Sequence, residues 1–524
     1  MLNQVNLRQC AGCDLSRRAV LAAGCAAACM GGLSPLTNIA FGQTSGEKMR
    51  IRVFFALMGE TMPVAGWPNI GYDYRPGMQE ITNALNNGCP DIDFVYTMVE
   101  PLEKVQEIVN ADAGNIDGYI VVQMMCRGNA TINPPVASGK PVLFTDFHYC
   151  GSAQYLIRTA QHLRAKAPNF AFIAPSRTSD LVEAARCFKL VGKEGNLQAF
   201  VDGVTKVRHK LYPPNIDLSV VEDKVDLLST SELLEALKGK KLLEVEGRSP
   251  AAAVEQLKKD LGIEVVGVKF AELNDEWNKA DKDRALEIVR RWKSGAAAIV
   301  DVPDETLEKS ARMYLAQKIC LKKYGAEAIT INCLGGFYGG HIHAYPCLGF
   351  HELLNEGLVG ACENDTRSTL TMLMMTTLTK GRPGFISDPV IDTSEGQIIY
   401  AHCVAASKQF GAAGQSNPFT IMTHSEDRHG ASVRSTMPVG YMTTTLEIAT
   451  ARKEILFHRA KAVGNSTDDR ACRTKLLAVP IGDLDKLHTE WDRWGWHRVT
   501  YYGDLKEAVF SLADAVGWKV VEEA

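Results

Sequence analysis

The sequence predicts an α/β protein with two parallel-sheet domains followed by a β-rich domain. Three observations support this prediction. Short apolar runs alternate with helix-like stretches over residues 49–210, the same alternation restarts over residues 211–360, and helical periodicity fades after residue 380. Alternation of strands and helices is typical of a parallel sheet covered by helices on both faces. A chain of 524 residues is long enough for about three domains of ordinary size.

The first domain is predicted over residues 49–210. Its first strand, Met49–Met58, is rich in β-branched and aromatic residues, which favour strands. Further predicted strands lie at Phe94–Met98, Gly118–Met124, Pro141–Phe144 and Phe170–Ala174. Predicted helices separate them at Gly77–Asn87, Pro101–Val109 and Ala153–Ala165.

The second domain is predicted over residues 211–360, after the proline pair Pro213-Pro214. Its predicted strands lie at Lys241–Glu246, Glu264–Phe270, Ala296–Val300 and Ala328–Asn332. Helical patterns separate them at Ala251–Leu261, Asp281–Lys293 and Leu307–Lys323. The alternation again predicts a parallel sheet.

The third domain is predicted over residues 361–524. Short strands separated by turns are expected at Ile398–His402, Phe419–Thr423, Met442–Thr445, Lys475–Val479 and His497–Tyr502. A last helix is expected at Leu505–Val516. Many short strands with turn signals between them are typical of a β-rich domain.

Residues 1–42 have the form of a twin-arginine signal peptide. Arg17-Arg18 precede an Ala/Gly/Cys-rich run that ends at Leu33, and Ala40-Phe41-Gly42 supplies small residues for cleavage. This predicts the twin-arginine translocase as a partner and a periplasmic or otherwise exported protein; an unused leader would leave the protein in the cytoplasm. Because no later run reaches 18 continuous apolar residues, we expect no stable membrane insertion.

Composition argues against several other classes of function. The chain has 57 basic and 61 acidic residues, a net charge of −4, so it lacks the positive excess typical of nucleic-acid binding. Four of its 14 cysteines lie in the first 30 residues, and no CxxC pair occurs after the predicted signal. The glycine-rich run Gly335–Gly340 lacks the spacing and the lysine of a phosphate-binding loop.

Histidines are concentrated in the last third of the chain. The sequence contains 12, and none precedes His148. This distribution predicts a functional site in that region. The histidines from residue 341 onward are His341, His343, His351, His402, His424, His429, His458, His488 and His497.

Two acidic residues and two of these histidines are candidate metal ligands: Glu363, Asp388, His402 and His497. Taken singly, each has an ordinary interpretation, as a helix cap, a residue of a turn or a partly buried histidine. Together, two carboxylates and two imidazoles at the ends of predicted elements form a ligand set suited to Mn²⁺, Mg²⁺, Fe²⁺ or Co²⁺.

Several segments of this region resemble the L-fucose/L-arabinose isomerase superfamily. They are Tyr345-Pro346-Cys347, Leu354–Leu358, Ala361–Asp365, Leu370-Thr371-Met372, Gly381–Asp388, Tyr400–Cys403 and His497–Asp504. The resemblance is dense from about residue 325 to 430 and only architectural before residue 325. It implies two Rossmann-like α/β domains, a C-terminal domain that contains a β-barrel, and a homo-oligomer.

The resemblance also implies a function, that of an aldose–ketose isomerase. Such an enzyme is a metal-dependent intramolecular oxidoreductase that acts on a small sugar through an enediol. In this sequence the resemblance implies that Glu363 and Asp388 hold a divalent metal, usually Mn²⁺, and also transfer protons. It assigns His497 and His402 as further metal ligands, and Asp365 as a residue that supports the site or caps a helix.

Two departures from the family keep alternatives open. His402-Cys403 is followed by Val404–Ser407, which differs from the family pattern, and an exported relative is unexpected. The alternatives are an exported metal-dependent lyase or hydrolase that acts on a modified carbohydrate, and a non-catalytic sugar-binding protein. The sequence identifies neither the sugar nor the roles of His341, His343, His424 and His429.

Overall fold

A computed structural model describes residues 48–99, 104–126, 131–212, 217, 219–247 and 249–524. The predicted signal peptide at residues 1–42 lies outside the described residues. The residues that the structure describes all belong to one compact unit. Within these ranges, no helix is both long enough and apolar enough to cross a membrane.

The first sheet contains five parallel strands in the order β2-β1-β3-β4-β5. Its strands are β1 (Met49–Ala56), β2 (Ile92–Val99), β3 (Gly118–Gln123), β4 (Val142–Asp146) and β5 (Phe170–Ile173). Its helices are α1 (Arg75–Gly88), α2 (Val105–Ala111), α3 (Asn133–Ala137), α4 (Ser152–Arg164), α5 (Thr178–Arg186) and α6 (Leu197–Leu211). Every residue of β3 and β4 is buried, as expected for a parallel sheet covered on both faces.

The second sheet contains four parallel strands in the order β10-β9-β6-β7. Its strands are β6 (Lys241–Val245), β7 (Glu264–Val268), β9 (Ala328–Ile331) and β10 (Val359–Ala361). The helices of this region are α7 (Thr230–Leu237), α8 (Ala251–Leu261), α9 (Phe270–Lys279), α10 (Lys282–Gly295), α11 (Asp304–Tyr324), α12 (Cys333–Tyr338) and α13 (Cys347–Asn355).

The strand predicted at residues 296–300 does not join this second sheet. The observed strand β8 (Ala298–Val300) pairs with β13 (Phe419–Met422), which in turn pairs with β14 (Ser432–Ser435). Two of the three residues of β8 are exposed. Such a strand cannot occupy a sheet that is buried on both faces.

The C-terminal region forms a closed antiparallel barrel of six strands. Their order is β15-β18-β11-β12-β17-β16, and β16 pairs back with β15. The strands are β11 (Phe385–Asp392), β12 (Gln397–His402), β15 (Met442–Ala449), β16 (Glu454–Asn465), β17 (Thr474–Pro480) and β18 (Arg498–Tyr502). A short strand β19 (Lys519–Glu522) adds to β16, and the helices are α14 (Thr366–Leu378), α15 (Leu484–Glu490) and α16 (Lys506–Val516). Two parallel-sheet α/β regions followed by a β-barrel confirm the predicted fold class.

Helix α14 connects the second sheet to the barrel. Ten of its 13 residues are buried, and its apolar side chains belong to one core cluster with residues of β6, β9, β15 and β18. A helix that is buried on nearly all sides has little freedom to move, because protein interiors are close-packed. The N-terminus of α14 is therefore a rigid support for the residues that precede it.

Candidate metal centre

Strands β11 and β12 place Asp388 and His402 side by side. In the antiparallel register Asp388 is opposite Ala401, and His402 is the next residue along β12. Taken singly, Asp388 has the ordinary interpretation of a residue in a turn; the structure instead places it in the middle of β11. On its other side β11 pairs with β18 only over Phe385–Ser387, so Pro389 lies where the strand has a free edge, a position that tolerates proline.

The register of β18 brings His497 to the same place. Arg498 pairs with Ser387, so His497, the preceding residue, lies next to Asp388. Glu363 reaches the site from the turn between β10 and α14, where Glu363 and Asn364 have φ angles of 61° and 53°. Left-handed backbone at two successive non-glycine residues costs of order 1–3 kcal/mol each and is concentrated at functional sites.

The four candidate ligands converge in space. His497 Nε2 lies 3.4 Å from Glu363 Oε2 and 3.7 Å from Asp388 Oδ1, and His402 Nδ1 lies 3.7 Å from Asp388 Oδ2. One ligand atom from each of the four residues lies within 4.8 Å of the other three. Ligands about 2.1 Å from an octahedral ion lie about 3–4.2 Å apart, so these positions fit a single cation.

Unpaired polar atoms support the same interpretation. His497 Nε2, His402 Nε2 and Asp388 Oδ1 are buried, and none has a hydrogen-bond partner within the part of the chain that the structure describes. A buried polar atom without a partner costs about 1–3 kcal/mol, and three in one place point to a missing ligand. Oxygen and imidazole donors suit Mn²⁺, Mg²⁺, Fe²⁺ or Co²⁺, so the residues present fit such an ion.

Charge is unevenly distributed between the two carboxylates. Burial raises the pKa of Glu363, but the close contact with His497 and the positive charge of its ring outweigh burial and hold that pKa below its usual value. Burial raises the pKa of Asp388 well above its usual value, and the neighbouring Glu363 adds to this. The pKa of His497 is raised well above its usual value, because its hydrogen bond to Asp365 and the charges of Glu363 and Asp388 outweigh burial. Pairs of carboxyl groups whose environments move their pKa values apart are typical of proton-transfer sites.

Asp365 supports the centre from outside it. Its side chain accepts a hydrogen bond from the backbone N–H of Ser368 at 3.1 Å, which caps α14, and its Oδ2 lies 2.9 Å from His497 Nδ1. Asp365 therefore caps the helix, which is one of the two alternatives expected for it, and also contacts a candidate ligand. An imidazole that pairs one nitrogen with a carboxylate presents the other to a metal in a fixed orientation.

Thiols lie beside the centre, and no pattern in the sequence indicated their arrangement. Cys472 Sγ lies 3.7 Å from His402 Nδ1 and 4.0 Å from Asp388 Oδ2. Cys333 Sγ and Cys362 Sγ are 3.2 Å apart, and the backbone N–H of Glu363 donates to Cys333 Sγ at 3.3 Å. Cys362 is buried. These contacts depend on strand register, which cysteine spacing does not reveal.

The remaining candidates fall into two groups. His341 stacks on Phe270, and His343 packs edge-on against Trp277, so both histidines lie against α9. Trp491 and Trp494 are fully buried and pack in the core.

A second group of residues lies near the centre, and of these the sequence had singled out only His424, with its role left open. Its members lie on the loop between β13 and β14: His424, Glu426 and Asp427. Burial lowers the pKa of His402 to about 4, and the positive charge of His424 adds to this. The only sequence signal for this loop was the high density of histidines in the last third of the chain.

The curated proteins that this chain resembles share one name, and their sequence identity to it is low. No family model matches the chain. The chain is similar to sulfoquinovose isomerases. It is 23% identical over 259 residues to the sulfoquinovose isomerase of Clostridium sp. (strain MSTE9), which covers 48% of this chain and 57% of that protein. It is 26% identical over 174 residues to that of Priestia aryabhattai, covering 33% of this chain and 37% of the relative.

Two more curated relatives, from Priestia megaterium and Alkalicoccus urumqiensis, carry the same name. The matched region spans at most 57% of the length of these relatives. Among solved structures, a sugar ABC transporter from Yersinia enterocolitica covers 57% of this chain and 69% of its own chain at 12% identity, with a TM-score of 0.17. That score is too low to indicate a shared fold.

Proposed function

We propose that this protein is a divalent-metal-dependent aldose–ketose isomerase. The observation that carries the proposal is the convergence of Glu363, Asp388, His402 and His497, with three unpaired buried polar atoms among them. The shared name of the four curated relatives supports the reaction type. These four residues would hold the ion, with Mn²⁺ as the first candidate. When bound, a divalent cation polarises the carbonyl and hydroxyl oxygens of a sugar.

The side chains of this protein move the proton between C1 and C2. The reaction needs a base that removes the proton next to the carbonyl and a group that returns it at the adjacent carbon, with an enediol between the two steps. Glu363 is the more accessible carboxylate, with 22% of its side chain exposed against 6% for Asp388. We therefore assign proton removal to Glu363 and its return to Asp388.

The name of the relatives supports a proposal for the substrate class. Their name specifies sulfoquinovose, a hexose that carries a sulfonate group, and we propose an aldohexose of this kind as the substrate. Because identity is low and the match covers part of each relative, sulfoquinovose is the first sugar to test, with D-glucose as the matched sugar that lacks the sulfonate.

The test is product analysis by NMR in deuterated water. Mn²⁺-loaded protein incubated with sulfoquinovose should form a ketose and carry solvent deuterium into C1 or C2, and Glu363→Gln should abolish both while the circular dichroism spectrum is unchanged. A variant of an exposed acid, Glu395→Gln, serves as the control and should keep full activity. Absence of ketose from every sugar tested contradicts the proposal. Cleaved or unsaturated products would indicate a hydrolase or lyase instead, and binding without turnover would indicate a sugar-binding protein.

Export and assembly complete the proposal. We propose that the twin-arginine translocase exports the folded, metal-loaded chain to the periplasm and that the chain forms a homo-oligomer. Replacing Arg17 and Arg18 by lysine should retain the protein in the cytoplasm, measured by cell fractionation. Light scattering on the purified protein measures the oligomeric state.

A further inference from the structure

The loop between β13 and β14 holds a histidine–aspartate pair beside the candidate metal centre. His424 Nδ1 lies 3.0 Å from Asp427 Oδ1, and both side chains are buried. Two backbone hydrogen bonds close the loop on itself: the N–H of His424 donates to the carbonyl of His429 at 2.7 Å, and the N–H of Arg428 donates to the carbonyl of His424 at 3.1 Å. The pair is therefore fixed in position.

Both carboxylate oxygens of Asp427 have hydrogen-bond partners, and one of these partners is His424. The second of these oxygens, Oδ2, accepts a hydrogen bond from the hydroxyl of Tyr345. Phe337 and Tyr345 enclose the imidazole, with ring centres 5.1 Å and 5.8 Å from that of His424. Burial lowers the pKa of His424, but the bond to Asp427 and nearby negative charges outweigh it and raise that pKa to about 9. The imidazole is therefore a cation at neutral pH.

The second ring nitrogen of His424, Nε2, is available to donate a hydrogen bond or a proton to a bound molecule. Nε2 of His424 has no hydrogen bond to any residue that the structure describes, and it is not among the fully buried polar atoms. Two other buried histidines differ in this respect. His351 uses Nδ1 for the carbonyl of Ala405 and Nε2 for Asn355, and His458 uses its two nitrogens for Tyr400 and Glu523. Both nitrogens of each of these two rings form hydrogen bonds within the protein, whereas the Nε2 of His424 forms none with the described residues.

Position makes this N–H relevant to the reaction. Cys403, the residue after His402, has its Sγ 3.4 Å from Oγ of Ser425, the residue after His424, so the loop packs against the strand end that carries a candidate ligand. His424 itself is outside the set of four candidate ligands. Glu426, on the same loop, accepts a hydrogen bond from Tyr338 at 2.7 Å and also interacts with His424 and Glu363. A sugar held at the centre would therefore lie beside a positioned proton donor.

An isomerase for aldohexoses needs one step before proton transfer between carbons. Such sugars exist in water mainly as closed rings, and C1 becomes a carbonyl only when the ring opens. We propose that His424 is the proton donor that opens the sugar ring, an inference that rests on the proposed isomerase function. The bond between C1 and the ring oxygen breaks, and its electron pair goes to that oxygen, which takes the proton from Nε2. The C1 hydroxyl loses its proton to water as the carbonyl forms, and water later reprotonates Nε2.

Ring opening is measured separately from isomerisation through the exchange of anomers. The experiment uses Mn²⁺-loaded wild-type protein, with sulfoquinovose as the probe and two-dimensional exchange NMR of the anomeric protons of the aldose as the readout, which measures ring opening separately from ketose formation. We expect this protein to accelerate anomer exchange above buffer, and the His424→Gln change to reduce the acceleration at least about 100-fold, the lower end for general acid catalysis. His429→Gln is the matched control, because His429 is an exposed histidine on the same loop, and it should have no effect.

A second variant guards against misfolding. Asp427→Asn keeps the size of the side chain but removes the charge that holds His424 protonated, so it should also slow anomer exchange. Unchanged exchange in either the His424 or the Asp427 variant overturns the inference. Wild-type protein that forms ketose without faster anomer exchange also overturns it and leaves the isomerase function standing. If wild-type protein forms no ketose and does not accelerate anomer exchange, both proposals fail.

Discussion

Nδ1 of His497 lies 2.9 Å from Oδ2 of Asp365, while Nε2 of the same ring lies 3.4 Å from Glu363. Asp365 also caps α14, the buried helix that connects the second sheet to the barrel. One carboxylate therefore couples a candidate metal ligand to a rigid element of the core. Such outer partners fix the tautomer and direction of a ligating imidazole.

Asp365→Asn should weaken Mn²⁺ binding about 10–100-fold, the range typical of changes to residues that support a metal ligand. Asparagine caps helices as well as aspartate, so stability should change little and the effect on His497 is isolated. Isothermal titration calorimetry measures the affinity. Asp281→Asn, at the N-terminus of α10, is the matched control, since Asp281 caps its helix in the same way. Equal Mn²⁺ affinity in the Asp365 and Asp281 variants contradicts the role of Asp365.

A buried ion pair connects the first α/β region to the barrel region. Arg208 Nε donates to Asp485 Oδ1 at 2.8 Å, and Arg208 is almost fully buried. Removing one partner of such a pair leaves an uncompensated charge, so Asp485→Asn should lower the free energy of unfolding by about 3–5 kcal/mol. Urea unfolding at neutral pH measures this. Glu235→Gln breaks an exposed pair and is the control, with little change expected. Equal stabilities for the two variants would contradict the prediction.

His488 should make the fold sensitive to mild acid. Burial lowers the pKa of His488 to about 4, from an ordinary value near 6.5. Between these values the unfolded chain binds a proton that the folded chain does not, so stability is complete above about pH 6.5 and falls as pH drops towards 4. The loss from this residue amounts to about 3 kcal/mol. Denaturant unfolding as a function of pH should give a flatter profile for His488→Gln than for wild type; identical slopes would show that the residue does not titrate in this way.

Much of the fold could be predicted because strand and helix patterns are local. The apolar runs of β1 and β3 and the helical period of α11 depend on neighbouring residues alone. Closure of the barrel was not predictable from such patterns, because the pairing of β15 with β16 and β18 depends on register between distant segments. The short strand β8 was assigned to the wrong sheet for the same reason, since its partner β13 follows more than 100 residues later.

The candidate site was partly predictable, because metal-binding chemistry is a property of residue type. Glu363, Asp388, His402 and His497 were proposed from the sequence and the family resemblance, and the structure brings all four together. The contact of Cys472 with His402 and the pair His424–Asp427 were missed. Their significance depends on which residues lie next to them in space, and the sequence position of a thiol or a histidine does not reveal its spatial neighbours.

One cation held by four side chains is the basis of the proposed chemistry. Mn²⁺ titration of the purified protein, followed by electron paramagnetic resonance, counts the ions bound per chain and measures their affinity. We expect one tightly bound Mn²⁺ per chain, and at least about a 100-fold loss of affinity in both His402→Ala and His497→Ala, since each removes a direct ligand. His351→Gln, a buried histidine with both nitrogens paired inside the protein, should bind Mn²⁺ as wild type does. Unchanged Mn²⁺ affinity in the His402 and His497 variants would contradict the metal centre and the function built on it.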